Sequence, residues 1–148
     1  MSAMASRPII AVLDTNVVIA GLLWDGPPYS LLIRATERRD LVLVTTPTLI
    51  AELGDTLALP RFRRRIADAA VSIERLVGAY RDATALVTPH DVPRVVTDDV
   101  DDDHVIAAAV AARAHYIVTG DRAHLLPIGT HGEIAIISPR QCLDLFEK

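Results

Sequence analysis

Cysteine, lysine and long apolar runs are scarce in this 148-residue chain, and each shortage removes a class of explanation. Cys142 is the only cysteine, so no intrachain disulfide can form. No thiolate-activating motif surrounds it, which leaves core packing in a reducing compartment as its expected role. The single lysine is Lys148, the final residue, so a receiver-type phosphotransfer site, which wants a lysine near its strand-end aspartate, has no support. No uncharged stretch approaches the roughly 18 residues that span a bilayer. The first apolar run follows Arg7 and is ended by Asp14, too short for a signal-peptide core. Positive charge is short as well. At a formal net charge of −4, an anionic partner has to be met by a local basic patch or by a metal cation. The expectation is a soluble cytoplasmic protein without a membrane partner.

What the chain does have is apolar residues, 51% of the total, enough for one sizeable core. We expect a short tail over residues 1–7 and one domain over 8–146. Ile9 to Leu13 is an unbroken apolar run, the pattern of a strand buried on both faces, and Leu41 to Val44, Ala85 to Val87, Tyr116 to Val118 and Ile134 to Ile137 repeat it. Between them lie helical patterns. Val17 to Trp24 begins one, Asp25-Gly26-Pro27-Pro28 breaks it, and Tyr29 to Arg39 resumes with Leu31, Leu32, Ala35 and Arg38 in register. Thr46-Pro47 starts another, with Leu49, Ile50, Leu53 and Leu57 as its stripe. A basic run follows Pro60, then a helix from Asp68 to Asp82 with Val71, Leu76, Val77 and Tyr80 inward. Pro89 to Pro93 reads as loop. Val105, Ile106, Ala109, Val110 and Arg113 trace one face of a further helix, and a last one opens at Pro139. Strands alternating with helices predict an α/β fold, a central parallel sheet with helices on both faces.

The acids fall where such a sheet gathers ligands, at the carboxyl ends of its strands. Asp14 and Asp121 each follow a strand. Asp98, Asp99, Asp101, Asp102 and Asp103 crowd before the alanine-rich helix. Glu52 flanks a buried helical stripe. Several carboxylates in one pocket stay ionised at neutral pH only if a cation offsets their repulsion. Oxygen donors without paired histidine or cysteine favour Mg²⁺ or Mn²⁺ over Zn²⁺. That combination suits phosphodiester hydrolysis. Each acid also has a plainer reading: the aspartates as helix caps or turn residues bonded to local backbone, Glu52 as a solvated helix residue. Other acidic motifs fail. A calcium loop starting at Asp99 would need glycine and glutamate where His104 and Val110 stand, and a haloacid-dehalogenase-like site would need Asp-x-Asp where Asp14-Thr15-Asn16 stands.

The segments VLDTNVVIAGLLW, TPTLIAEL and DVDDDHVIAAAVAARAHYIVTGD, in this order and spacing over roughly residues 8 to 145, resemble the PIN-domain family, in particular its toxin–antitoxin branch. The resemblance implies a parallel α/β fold, Mg²⁺- or Mn²⁺-dependent ribonuclease activity on RNA, inhibition by a cognate antitoxin protein, and a homodimer or higher oligomer. Carried over, it makes Asp14, Glu52, Asp102 and Asp121 the catalytic and metal-holding acids, with Asp99 and Asp103 as second choices. Asp102 is favoured because it lies seven residues before Ala109 and on the side of Val105 and Ile106. Asn16 and Thr119 become the groups that orient the carboxylates. Where relatives often read alanine-aspartate before the strand, this chain has Ala114-His115.

Arg61, Arg63, Arg64 and Arg65 could contact RNA phosphates or an acidic partner, or simply be a solvated helix end; Arg38 and Arg39 are weaker versions of the same feature. Trp24, Tyr29 and Phe62 fit either an apolar partner surface or the core, and His104 fits an exposed position beside the acids. The alternatives to a ribonuclease are a catalytically silent interaction module of the same fold and a DNA-directed or flap-type nuclease.

Overall fold

The computed structural model describes residues 7–89, 100–120 and 125–147, with the side chains of 100–102 outside that description. Of the sequence features above, residues 90–93 of the expected loop, Asp98, Asp99 and Asp121 lie outside the described residues.

Ile9–Leu13 forms strand β1, and its apolar residues face both ways: Ala11 and Leu13 enter one core, Val12 the other. β1 pairs in parallel with β2 (Leu41–Thr45) on one side and with β4 (Tyr116–Val118) on the other, in the registers Ile9↔Leu41 and Ala11↔Tyr116. The strands β3 (Ala85–Leu86), β5 (Thr130–His131) and β6 (Ile134–Ile137) complete a six-stranded sheet of order β3-β2-β1-β4-β6-β5. The sheet is mixed, not wholly parallel as the sequence predicts. β5 runs antiparallel to β6 through a tight turn in which Gly132 has a φ of 62°, a left-handed conformation suited to glycine. No helix separates β5 from β6, so a parallel crossover is impossible there.

The sheet is covered on both faces. Helices α1 (Thr15–Leu23), α2 (Pro27–Glu37), α5 (Ile73–Asp82) and α7 (Pro139–Asp144) contribute to the core built on Leu13, Leu31, Leu43 and Leu53. Helix α6 (Val100–Ala112) fills the other with Val105, Ile106, Ala108 and Ala109. Helix α3 (Pro47–Leu57) supplies Leu49 to the second core and Leu53 to the first. Cys142 is completely buried, as its surroundings in the sequence suggest.

Three expectations change. The basic run is itself a helix, α4 (Pro60–Asp68), distinct from α5. Proline is tolerated in its first turn, and Ala70, at a φ of 56°, turns the chain out of it before Ser72 caps α5 by accepting from the Arg75 amide at 3.1 Å. In α6 the inward face is Val105, Ile106, Ala107, Ala108 and Ala109, whereas Val110 is 49% exposed and Arg113 lies beyond the helix, exposed. Small alanines let α6 approach the strands closely, so most of its circumference there is buried and spacing alone does not mark the face. Finally, His115 occupies a structural position: its Nδ1 accepts from the Ile10 amide at 2.9 Å and its own amide donates to the Ile10 carbonyl at 2.8 Å. An imidazole nitrogen thus holds the amide that a carboxylate could hold at the β1–β4 seam.

Candidate active site

The strand order reverses at β1, since the chain goes from β1 to β2 on one side and returns later as β4 on the other. At such a reversal the loops part and leave a crevice at the carboxyl ends of the strands. Asp14 and Thr119 stand there, one after β1 and the other after β4. The Asp14 amide donates to the Val118 carbonyl at 3.0 Å, which prolongs the ladder by one bond. The side chain is then tied twice. Oδ1 accepts from the Val17 amide at 2.8 Å, capping α1, and Oδ2 accepts a short hydrogen bond from the hydroxyl of Thr119. Asp14 is 6% exposed and Thr119 is wholly buried. Asp14 therefore caps a helix and is at the same time a buried carboxylate at the carboxyl edge of the sheet.

Asp14 faces a cavity of about 410 Å³ lined also by Asn16, Val17, Ala20, Pro28, Gly120 and Pro139. Asn16, the second residue of α1, is exposed and lines the cavity. Pro28 and Pro139 sit in the first turns of α2 and α7. Nothing in the sequence marked Ala20, Pro28 or Pro139 as wall residues, because they carry no reactive group and meet only through the fold.

The remaining acids divide by how much of each is described. Glu52 lies on α3, half-buried. Asp103 lies in the first turns of α6 and is wholly buried. The backbone of Asp102 belongs to α6, but its side chain, like the whole of Asp121, is outside the described residues. Among the described residues, no three His, Cys, Asp or Glu side chains come close enough to hold a metal by themselves. His104 is half-buried, less exposed than its sequence position suggests.

Arg61, Arg63, Arg64 and Arg65 are all exposed on α4, while Phe62 and Ile66 turn inward. They are not on the cavity. Arg65 donates from Nε to the Leu23 carbonyl at 2.6 Å, at the end of α1 opposite Asp14.

A buried carboxylate at a sheet switch point stands where open α/β sheets gather their ligands. A family profile described as PIN domain matches residues 10–123, and the chain belongs to that family. PIN domains are in general metal-dependent nucleases that act on nucleic acid, so this is a nuclease-type fold. No curated protein matches the chain. Among the described residues no helix is long and apolar enough to cross a membrane.

By donor chemistry alone Asp14, Glu52 and Asp103 suit a hard divalent cation, since each offers only carboxylate oxygens; among the described residues the three do not converge on one point.

Proposed function

We propose that the chain is a metal-dependent endoribonuclease that serves as the toxin of a toxin–antitoxin pair. The observation that carries the nuclease reading is Asp14: a buried carboxylate held by Val17 and Thr119, with its cavity at the β1–β4 switch point. Asp14, Glu52, Asp121 and an acid of α6 would hold Mg²⁺ or Mn²⁺. For that last acid we advance Asp102, with Asp99 and Asp103 as second choices; of these Asp103 is wholly buried on α6. When bound, such an ion lowers the pKa of water and offsets charge growing on the phosphate.

The chain's own contribution is orientation. The Thr119 hydroxyl and the Val17 amide fix both oxygens of Asp14, so little of its freedom is left to lose on binding. Asn16 offers an amide to substrate or solvent at the cavity wall. Gly120 presents no side chain, leaving room for a phosphodiester to approach. RNA as substrate, a cognate antitoxin as inhibitor, a homo-oligomeric assembly and action in the cytoplasm rest on the resemblance of the three acid-bearing segments to the toxin branch.

Purified protein incubated with mixed RNA and Mn²⁺ should release fragments, and EDTA or Asp14→Asn should stop the release. Equal cleavage in all three would sink the metal-dependent reading. Asp102→Asn and Asp103→Asn, assayed together with Asp98→Asn, assign the α6 acid: one or both of the first two lose activity and the third keeps it. The bond from Val17 to Asp14 gives one observation in favour of a silent interaction module whose acids only cap helices. That module predicts no heat on titration with Mn²⁺.

A further inference from the structure

We infer that helix α4 and Trp24 form a docking surface for single-stranded nucleic acid, separate from the acid cavity. In α4 the buried Phe62 and Ile66 face inward and Arg61, Arg63, Arg64 and Arg65 face outward, four cations within two helical turns. Trp24, at the end of α1, is 44% exposed and its ring lies 6.5 Å from that of Phe62. The guanidinium of Arg65 lies 5.5 Å from the centre of the Trp24 ring while its Nε holds the Leu23 carbonyl; Arg61 lies 4.9 Å from the Phe62 ring. Arg61, Phe62, Arg65 and Trp24 thus form one connected cluster, assembled from segments some 42 residues apart, and Arg63 and Arg64 add exposed positive charge on the same helix.

Charge decides what it fits. Among the described residues the ion pairs are Arg34–Asp40 and Arg140–Asp144, so no described carboxylate neutralises any of these four arginines. A chain of net charge −4 therefore concentrates unpaired positive charge here, beside its only tryptophan. Phosphates answer the guanidiniums and bases answer the flat ring. A duplex keeps its bases stacked inside, which leaves the ring unused. A purely acidic peptide answers the charges but offers nothing flat to the ring, whereas every nucleotide carries both a phosphate and a base. The inference deepens the nuclease reading and rests on it for the choice of nucleic acid as partner. Leu23 and Asp14 bound the two ends of α1, a rod of nine residues and roughly 13 Å. A strand held at α4 is therefore positioned to extend toward the cavity without the two sites overlapping.

Because Trp24 is the sole tryptophan, its emission reports on this surface directly. The full-length chain in EDTA is titrated with a twelve-nucleotide oligouridylate and, separately, an oligothymidylate. We expect quenching of Trp24 by at least one, with affinity that falls as salt rises. Arg63→Glu with Arg64→Glu should weaken binding about tenfold or more and lower the slope of log Kd against log salt by roughly 1.4, for two lost phosphate contacts. Trp24→Leu, followed by anisotropy of a labelled strand, should weaken it about fivefold or more. Circular dichroism melts show whether the double variant folds; Arg65 is left intact because it holds α1. Asp14→Asn should bind as the wild type does, so a chain that cleaves nothing can still bear out this surface. The proposal is overturned if neither strand quenches Trp24 or if the double variant binds with unchanged affinity. Quenching by polyglutamate but by neither strand overturns it in favour of an acidic protein partner.

Discussion

Asp14 uses one carboxylate for two tasks, and the choice of substitution decides which task is tested. Asparagine keeps an oxygen for the Val17 amide, and the Thr119 hydroxyl can turn to accept from the new amide group, so the cap survives while the charge goes. Alanine would remove both. Thr119 permits a subtler test. Thr119→Val keeps the shape of a wholly buried side chain but withdraws the donor from Asp14. We expect about a 10- to 100-fold loss of cleavage and a higher Mn²⁺ concentration for half-maximal activity, both restored by Thr119→Ser. A loss of activity without a change in Mn²⁺ requirement would mean that Thr119 only packs. Asp14 was legible in the sequence because it directly follows an apolar strand, whereas Thr119 stands out only through the family resemblance. The cavity walls were not legible, because Ala20, Pro28 and Pro139 acquire meaning only when three helix starts meet. Nor was the Arg65–Leu23 bond, for no local pattern links residues so far apart.

At the scale of elements, the crossing of α1 over α2 sets the position of one cavity wall. A Cβ added at Gly21 would come within 2.7 Å of Leu32 Cδ1, 2.9 Å of the Pro28 carbonyl oxygen and 3.0 Å of its carbon. The leucine can turn aside, but backbone cannot. Gly21→Ala should therefore push α2 outward, carrying Pro28 with it, and destabilise the fold by about 1–3 kcal/mol in urea titrations. An unchanged midpoint would show that the helices yield without strain. The same scale explains which elements the sequence revealed. Strands β1, β2, β4 and β6 declared themselves because a strand buried on both faces must be apolar throughout. Helix α4 was not separated in the sequence from the helix that follows, because its arginines read as a basic run or helix end, although its two buried residues, Phe62 and Ile66, stand four apart as a one-sided helix requires. Strand β5, two residues long, is too short to show any alternation.

For the whole molecule, burial makes folding sensitive to alkali. The Cys142 thiol is pushed up from 9.0 to about 11 by its apolar surroundings. Tyr80 is displaced upward as well, by burial first and then by the negative charge of Asp14. A group whose pKa is raised by folding keeps its proton in the native state after the unfolded chain has begun to lose it. Stability is therefore whole below pH 9 and falls as pH rises toward 11. Thermal melts between those limits should show a gentler decline for Cys142→Ala than for the wild type, whatever the variant costs at neutral pH. Parallel declines would exclude the thiol as the cause. In the native state Cys142 should also resist thiol reagents until the molecule opens.

The ends of the sheet bear on how so apolar a chain behaves in company. Among the described residues β3 and β5 are the outermost strands, each only two residues long, whereas the strands between them hold the continuous apolar runs. A neighbouring chain seeking to extend the sheet finds at either margin a ladder too brief to grip, and at β5 one that runs against the direction of the rest. The segments best suited to amyloid-like stacking are therefore shielded by strands that are poor templates, and ordered aggregation must begin from unfolded molecules.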